Sequence, residues 1–270
     1  MKQIETPQKP TLQPDEIQLW FTFPEEIQNL ELLSAYEKLM NQEERAQQQR
    51  LHFAKHRHQY LITRALVRST LSRYTNIEPQ QWRFWKNDYG RPEIISTANT
   101  PPLRFNLSHT DGLIICGVVL KQDIGVDVEN LERKGAMLEI AQRFFSPKEI
   151  KDLYSLPAQQ RRERFFDYWT LKESYIKARS MGLSLPLEQF SFHISEHQPI
   201  QITFAPQMHD EPSQWQFWLL KPTQHHKATV SICRPANRHY RLTMKKVVPL
   251  MKEQTFSCTI LNQTENAHTP

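Results

Sequence analysis

Two carboxylates on one face of a short strand are the first residues of this sequence that could do chemistry. Segment 123–129 alternates apolar and other residues with the period of a β-strand, so Gly125, Asp127 and Glu129 share one face. The Cα atoms of the two acids would be about 6.6 Å apart, and like charges that close repel each other unless a cation lies between them. A hard divalent ion suits such a pair. The alternative is a strand end that emerges into solvent.

A helical segment around Trp169 carries charges where core residues are expected. Its apolar stripe is formed by Phe165, Tyr168, Trp169 and Ile176. The stripe is interrupted at Lys172 and Glu173, and a buried charge must be paired or bound to a metal. Glu173 is therefore a third oxygen ligand for a site opened by the strand carboxylates. Lys177 follows Glu173 by one turn, and an ordinary surface pair at this spacing is its alternative.

A third group of charges lies upstream, between residues 43 and 73. This segment has seven basic residues against two acidic ones, a local excess that equals the net charge of +5 of the whole chain. One of them, Arg64, interrupts another helical apolar stripe. Such a segment attracts polyanions, namely nucleic acid, an acidic protein or a phosphate-rich small molecule. A solvated helix face is the alternative.

The elements that position these residues follow from hydrophobic periodicity. Helical composition covers about 25–74, where Asn41 and Glu44 have capping-box spacing, and again about 137–180. Strand patterns occur at 16–23, 82–85, 105–109, 113–120, 123–129, 190–194, 200–204, 215–220 and 228–233. The runs 105–109 and 113–120 flank a Thr-Asp-Gly turn and are expected to pair as a hairpin.

This order of elements predicts an α+β fold with two similar halves, each with helices on a mainly antiparallel sheet and a ligand cleft between them. We expect a disordered N-terminal extension at 1–14, an N-terminal half at 15–122, a C-terminal half with the metal site at 123–238, and a polar tail at 239–270. The sequence assigns no role to the tail.

Several function classes are excluded by what the sequence lacks. None of its six glycines form G-x-G-x-x-G, and Gly112 and Gly117, which have P-loop spacing, are followed by valines rather than Lys and Ser or Thr. The longest apolar run, 112–120, is about half of what a membrane span requires. No secretory signal is present, so we expect a cytoplasmic protein. The three cysteines lack zinc or redox spacing.

Five motifs in a fixed order resemble one family closely. They are YGRP at 89–92, FNLSH at 105–109, GVDVE at 125–129, RFFSPKE at 143–149 and WTLKESYIK at 169–177. The chain is similar, over about 15–235, to the Sfp-type 4′-phosphopantetheinyl transferases. The resemblance implies Mg²⁺-dependent transfer of 4′-phosphopantetheine from coenzyme A to a serine of an apo acyl or peptidyl carrier protein, with release of adenosine 3′,5′-bisphosphate. It further implies a monomer that uses neither nucleic acid nor a membrane.

The resemblance also implies roles for individual residues. Asp127, Glu129 and Glu173 would hold the Mg²⁺, and Ser108, His109, Lys172 and Lys177 would contact coenzyme A. Glu173, Lys177, Glu149 and His109 form the expected catalytic set, with Glu149 orienting Lys177, a water molecule or the acceptor. Arg91 would lie at the adenosine end. The family's basic residues for the 3′-phosphate are replaced here by Gln47–Gln49, which leaves Arg45, Arg50 and Arg64 as candidates.

Two other function classes fit parts of the pattern. A Mg²⁺-dependent nuclease or phosphatase also uses carboxylate clusters beside a lysine. A non-enzymatic module could bind nucleic acid through the basic segment. Neither of these classes explains the ordered series of five motifs.

Overall fold

The computed structural model describes residues 11–96, 100–195, 197–235 and 238–265. In the first part of the chain the elements are β1 (Glu16–Thr22), α1 (Leu30–Leu39), α2 (Gln42–Arg50), α3 (Ala54–Ser72), β2 (Phe84–Lys86), β3 (Pro92–Ile94), β4 (Leu103–Thr110) and β5 (Leu113–Leu120). The next part contains β6 (Ile124–Asn130), α4 (Met137–Phe144), α5 (Pro147–Ser155), α6 (Ala158–Arg179), β7 (Phe190–Ser195), β8 (Gln198–Phe204), β9 (Trp215–Thr223) and β10 (His226–Cys233). The last strands are β11 (Arg241–Val247), β12 (Glu253–Thr255) and β13 (Thr259–Gln263).

Two larger sheets, packed face to face, form the centre of the molecule. One has the strand order β12-β11-β1-β5-β4 and the other β13-β9-β10-β6, while β2-β3 and β7-β8 are separate two-stranded sheets. Apolar side chains from β1 and β5 meet those from β6, β9 and β10 in a buried core between the two larger sheets. Helices cover the outer faces, with α3 in the core of the first half and α6 in that of the second. The predicted α+β arrangement of two halves is confirmed.

Local sequence signals account for most of these elements. Asn41 and Glu44 form the predicted capping box at the start of α2. The predicted hairpin is confirmed as β4–β5, in which Thr110 pairs with Leu113 across the turn. Gly112 in that turn has a φ of +83°, a backbone conformation that favours glycine.

Side chains of β4 connect the first sheet to the second. The side-chain oxygens of Asn106, Ser108 and Thr110 accept hydrogen bonds from the backbone N–H groups of Val126, Val128 and Asn130, at 2.9, 3.2 and 3.2 Å. Side-chain oxygens of alternate β4 residues therefore accept the hydrogen bonds that backbone carbonyl oxygens accept in an ordinary strand pair. This junction holds Ser108 beside the strand that carries Asp127 and Glu129.

The described parts of the two terminal segments pack on the two halves. Residues 1–10 of the predicted extension lie outside the described residues, whereas Leu12 packs in the core of the first half. In the predicted polar tail, β11 pairs in parallel with β1, and β13 pairs with β9. The tail thus contributes strands to both larger sheets, and β11 is half-buried whereas β13 is largely exposed. No helix among the described residues has the length and apolar character needed to cross a bilayer.

Candidate functional site

The site forms where α6 lies close against β6. A Cβ atom on Gly125 would stand 1.8 Å from the backbone oxygen of Ser174, so only glycine permits this approach. The two-residue period of β6 then directs Asp127 and Glu129 to the same side as Gly125, where α6 presents Glu173 and Lys177. The opposite face of β6 packs in the core between the sheets, as the alternation predicts.

Asp127 is the centre of the site. Its Oδ1 accepts hydrogen bonds from Lys177 Nζ at 2.6 Å and from Ser108 Oγ at 3.0 Å. Lys177 Nζ also donates to Ser108 Oγ at 3.0 Å and to the Val126 carbonyl oxygen at 3.1 Å. By contrast, Asp127 Oδ2 is buried and has no hydrogen-bond partner among the described residues. One oxygen of a buried carboxylate is therefore left for another cation.

Glu129 is held by two donors at the outer end of β6. Its Oε1 accepts from Arg133 Nη1 at 2.8 Å and from the indole Nε1 of Trp169 at 3.1 Å. Burial raises the pKa of Glu129, and the nearby Asp127 carboxylate raises it further, while Arg133 opposes both effects. The carboxylate thus lies in surroundings that favour an added positive charge.

Glu173 supplies the third carboxylate. Burial raises its pKa to about 7, with additional contributions from Asp127 and Glu129, although Lys177 lowers it. Asp127 and Glu129 each have a resident cation, Lys177 and Arg133 respectively. Glu173 has no such ion pair in the described parts of the chain. Its pKa is therefore raised mainly by burial, and the two neighbouring carboxylates add to this effect.

His109 and Arg64 extend the site into the first half. The pKa of His109 is lowered by partial desolvation and by the cations Lys177 and Arg64. The Arg64 guanidinium lies over the Tyr60 ring, 5.4 Å from its centroid, and 3.9 Å from Glu44 Oε1. The two basic neighbours and the partial desolvation thus disfavour the charged form of His109.

The structure corrects the expectations for Lys172 and Glu149. Both side chains are completely buried, and Lys172 Nζ lies 2.9 Å from Glu149 Oε2. Lys172 also donates to the carbonyl oxygens of Leu187 and Phe190, so its three N–H groups are used. Glu149 accepts from backbone N–H groups and has no contact with Lys177. This pair fastens α5 and α6 to the following strand and leaves no group for a ligand.

Arg91 is corrected in the same way. Its side chain is 7% exposed and donates to the carbonyl oxygens of Lys177 and Phe105, and to Ser180 Oγ. Glu93 Oε1 lies 3.2 Å from its Nε. Arg91 therefore holds the C-terminal end of α6, beside Lys177, rather than presenting a charge to the adenosine end.

Arg45 and Arg50 lie on the exposed surface of α2, apart from the carboxylate site. Arg45 borders a surface depression together with Lys38, Gln48 and Gln49. The structure thus brings together Ser108, Asp127, Glu129, Glu173 and Lys177, with His109 and Arg64 nearby. Arg45 and Arg50 remain on the exposed surface of α2.

Comparisons with known proteins agree with the order of the motifs. Residues 123–233 match the 4′-phosphopantetheinyl transferase superfamily, and residues 28–118 match the N-terminal region of a 4′-phosphopantetheinyl transferase. The 4′-phosphopantetheinyl transferase HetI of Nostoc sp. is 34% identical over 197 residues, which cover 73% of this chain and 81% of HetI. The chain belongs to the 4′-phosphopantetheinyl transferase superfamily. The resemblance to its Sfp-type members is confirmed.

Two further similarities, one to a sequence relative and one to a solved structure, differ in strength. The 4′-phosphopantetheinyl transferase Sfp of Bacillus subtilis is 37% identical over 161 residues, or 60% of this chain and 68% of Sfp. The structure of holo-[acyl-carrier-protein] synthase from Thermotoga maritima has a TM-score of 0.34 at 19% identity, covering 42% of this chain and 62% of that one. Of these two, only the similarity to Sfp supports the assignment of the chain to the superfamily. As a superfamily member the chain is a transferase, which disfavours both alternative function classes.

The donor set of this phosphopantetheinyl transferase fits a hard divalent cation. Carboxylate oxygens are the ligands that Mg²⁺ prefers. The buried Asp127 Oδ2 has no hydrogen-bond partner among the described residues. No set of three His, Cys, Asp or Glu side chains within the described ranges is closed into a ready metal cage. Two of the three carboxylates are instead paired with cations, Asp127 with Lys177 and Glu129 with Arg133.

Sequence reasoning missed two residues of the transferase site, namely the partners of Glu129. Trp169 appears in a motif, yet its apolar stripe predicts a core residue rather than an indole donor. Arg133 lies in the loop after β6, where a spacing of four residues carries no helical meaning. Four-residue separation from Glu129 was the only available signal for this ion pair, and it is a weak one outside a helix.

Proposed function

We propose that this protein transfers 4′-phosphopantetheine from coenzyme A to a serine of an apo carrier protein in a Mg²⁺-dependent reaction and releases adenosine 3′,5′-bisphosphate. The observation that supports this most directly is the cluster of Asp127, Lys177 and Ser108, with one oxygen of Asp127 left unpartnered. In this cluster the Lys177 ammonium group and the Ser108 hydroxyl can bind an anion, while the carboxylates can bind a cation. A pyrophosphate with its metal ion carries both charges, the negative one on its oxygens and the positive one on the metal.

In this proposal Asp127, Glu129 and Glu173 hold the Mg²⁺. A Mg²⁺ held there would neutralise charge that develops on the pyrophosphate. Lys177 donates to the transferring phosphoryl group, for which it exchanges part of its present contact with Asp127. Ser108 and His109 bind phosphate oxygens, and the low pKa of His109 makes it a neutral hydrogen-bond donor there. Lys172, Glu149 and Arg91 position α6 and are not part of the reacting set.

The partners of the proposed enzyme are coenzyme A and an acyl or peptidyl carrier protein, and we propose a cytoplasmic monomer without nucleic-acid or membrane partners. The monomer is supported by the origin of the site residues within one chain. Ser108 and His109 come from the first half, whereas Asp127 and Lys177 come from the second. Both sides of the site are thus supplied by a single copy.

A direct assay tests the reaction. The protein is incubated with coenzyme A, Mg²⁺ and an apo acyl carrier protein, and mass spectrometry detects the phosphopantetheine adduct on the carrier serine while chromatography detects adenosine 3′,5′-bisphosphate. We expect both products in equal amounts, and neither product in EDTA or with Asp127→Asn. Glu139→Gln, which removes a charge from exposed α4, is the matched control and should be fully active. Phosphodiester hydrolysis without an adduct would instead indicate a nuclease.

The 3′-phosphate contact can be assigned by comparing two substrates. Wild type should prefer coenzyme A over dephospho-coenzyme A, since a charge-assisted contact contributes about 1.5–3 kcal/mol. Arg64 is the arginine that shares the electrostatic surroundings of His109, so Arg64→Ala should remove this preference. Loss of the preference in Arg45→Ala or Arg50→Ala, with Arg64→Ala unaffected, would move the phosphate to the surface of α2.

A further inference from the structure

Arg133 occupies the side of the metal site that no motif covers. Its guanidinium is 2.8 Å from Glu129 Oε1, and this is the one ion pair that Arg133 makes in the described parts of the chain. The Arg133 side chain is 57% exposed, while that of Glu129 is only 11% exposed. An exposed cation is therefore bound to a largely buried carboxylate that the proposed function assigns to Mg²⁺.

The two resident cations of the site are anchored very differently. Lys177 Nζ is held by the oxygens of Asp127, Ser108 and Val126. Within the described residues the Arg133 side chain is held by Glu129 alone. Because the guanidinium is exposed, water and salt compete with its ion pair. Of the two cations, Arg133 is the one that a divalent ion can displace at small cost.

The backbone around Arg133 is fixed, so displacement needs only a side-chain rotation. The Arg133 carbonyl oxygen accepts from Arg162 Nη2 at 2.6 Å, and the Arg133 N–H donates to the Asn130 carbonyl oxygen at 3.0 Å. Leu131 N–H donates to the carbonyl oxygen of His225 at 2.8 Å in the β9–β10 turn. The loop is thereby fastened to α6 and to the second sheet.

We propose that Arg133 is an internal counter-ion that competes with the divalent metal for Glu129 and so sets the metal affinity of the site. This inference rests on the proposed function, which assigns Glu129 as a ligand. In the metal-free protein Arg133 limits repulsion between Glu129 and Asp127. When the metal binds, the guanidinium leaves Glu129 and points into solvent at the mouth of the site.

Isothermal titration of Mn²⁺ or Mg²⁺ into the metal-free protein tests the competition. Arg133→Gln should bind the metal about two- to fivefold more tightly than wild type, the factor expected when an exposed ion pair no longer competes. Lys134→Gln is the matched control, because it removes the same charge from the next residue, which makes no ion pair within the described ranges. Its metal Kd should stay close to that of wild type.

Thermal unfolding gives a second readout without turnover. Arg133→Gln should melt lower than wild type without metal, and saturating metal should raise its melting temperature by more than that of wild type. Equal affinities in Arg133→Gln and Lys134→Gln, or weaker binding in Arg133→Gln, would overturn the role of Arg133 while leaving the metal site intact. If wild type bound no metal, and Asp127→Asn gave the same result as wild type in every titration, the proposed function and this inference would both be overturned.

Discussion

Two lysines of α6, Lys172 and Lys177, each pair with a carboxylate from another element, and the two pairs differ in how completely they are hydrogen-bonded. Lys172 and Glu149 are sealed from solvent, and the three acceptors around Lys172 Nζ lie at 2.7–2.9 Å. Lys177 also has three acceptors, but its side chain is 28% exposed and its partner Asp127 keeps one buried oxygen without a hydrogen bond. The Lys172–Glu149 pair, called the sealed pair below, has no remaining capacity for a ligand. The Lys177–Asp127 pair, called the open pair below, retains such capacity.

The difference shows that burial of a charge does not by itself indicate function. A fully satisfied buried pair holds elements together and is damaged when one partner is removed. An incompletely satisfied pair carries an unfavourable free energy that a ligand can relieve. Completeness of hydrogen bonding separates the two pairs, although their lysines lie on one helix, five residues apart.

The largest effect on stability is expected for the sealed pair. Lys172→Ala leaves Glu149 charged and unpaired in the core, so we expect it to lower the free energy of unfolding by about 3–5 kcal/mol. Denaturant unfolding measures this loss, and saturating Mg²⁺ should not restore it. If Lys172→Ala unfolded like wild type but lost coenzyme A binding, the division between the two pairs would be wrong.

A large effect on turnover is expected for the open pair. Lys177→Ala should lower kcat about 100- to 1,000-fold, as for the loss of one preorganised donor to a transition state, with a smaller change in KM for coenzyme A. Its metal-free form should lose about 1–3 kcal/mol of stability because Asp127 loses a partner, and Mg²⁺ should restore most of this. Steady-state kinetics and thermal melts with and without Mg²⁺ measure both quantities. An equal loss in kcat and coenzyme A affinity would make Lys177 a phosphate clamp instead.

A smaller effect is expected from replacing both members of the sealed pair. Lys172→Met combined with Glu149→Gln removes both charges and keeps an amide oxygen for a backbone donor of Glu149, so stability should return to within about 1–2 kcal/mol of wild type. The double-mutant cycle measures the coupling. A double variant as unstable as the sum of the single ones would show that the two residues act separately.

A pH effect should distinguish the open site from the sealed pair. The folded-state pKa of Glu173 is about 7 and its ordinary value is 4.5, so the folded protein binds more protons and loses stability as pH rises through this interval. In Glu173→Gln this part of the loss should be absent. Denaturant unfolding of both metal-free proteins at several pH values measures this difference. The difference between their free energies of unfolding should widen from pH 4.5 and level off above about pH 7. A constant gap would place Glu173 outside the carboxylate cluster.

Local patterns predicted the strand β6, the β4–β5 hairpin and the capping box because each depends on residues near one another in sequence. The same patterns could not sort the charges of α6. Lys172 and Glu173 both interrupt an apolar stripe, yet the acceptors of Lys172 are the carbonyl oxygens of Leu187 and Phe190, which only the tertiary fold brings there. For the same reason the sequence did not reveal the indole of Trp169 on Glu129.

The parallel pairing of β1 with β11 has a consequence for the order of events during synthesis. The Thr22 hydroxyl bonds the Val247 carbonyl oxygen across 225 positions, so at about 5–20 residues per second the partner strand emerges roughly 10–45 s after β1. During that time the first sheet has an uncovered edge, which is a template for pairing with other chains. We therefore expect the first half, although it is made first, to complete its folding only after β11 has been made, and a nascent chain stalled before residue 241 to depend on chaperones.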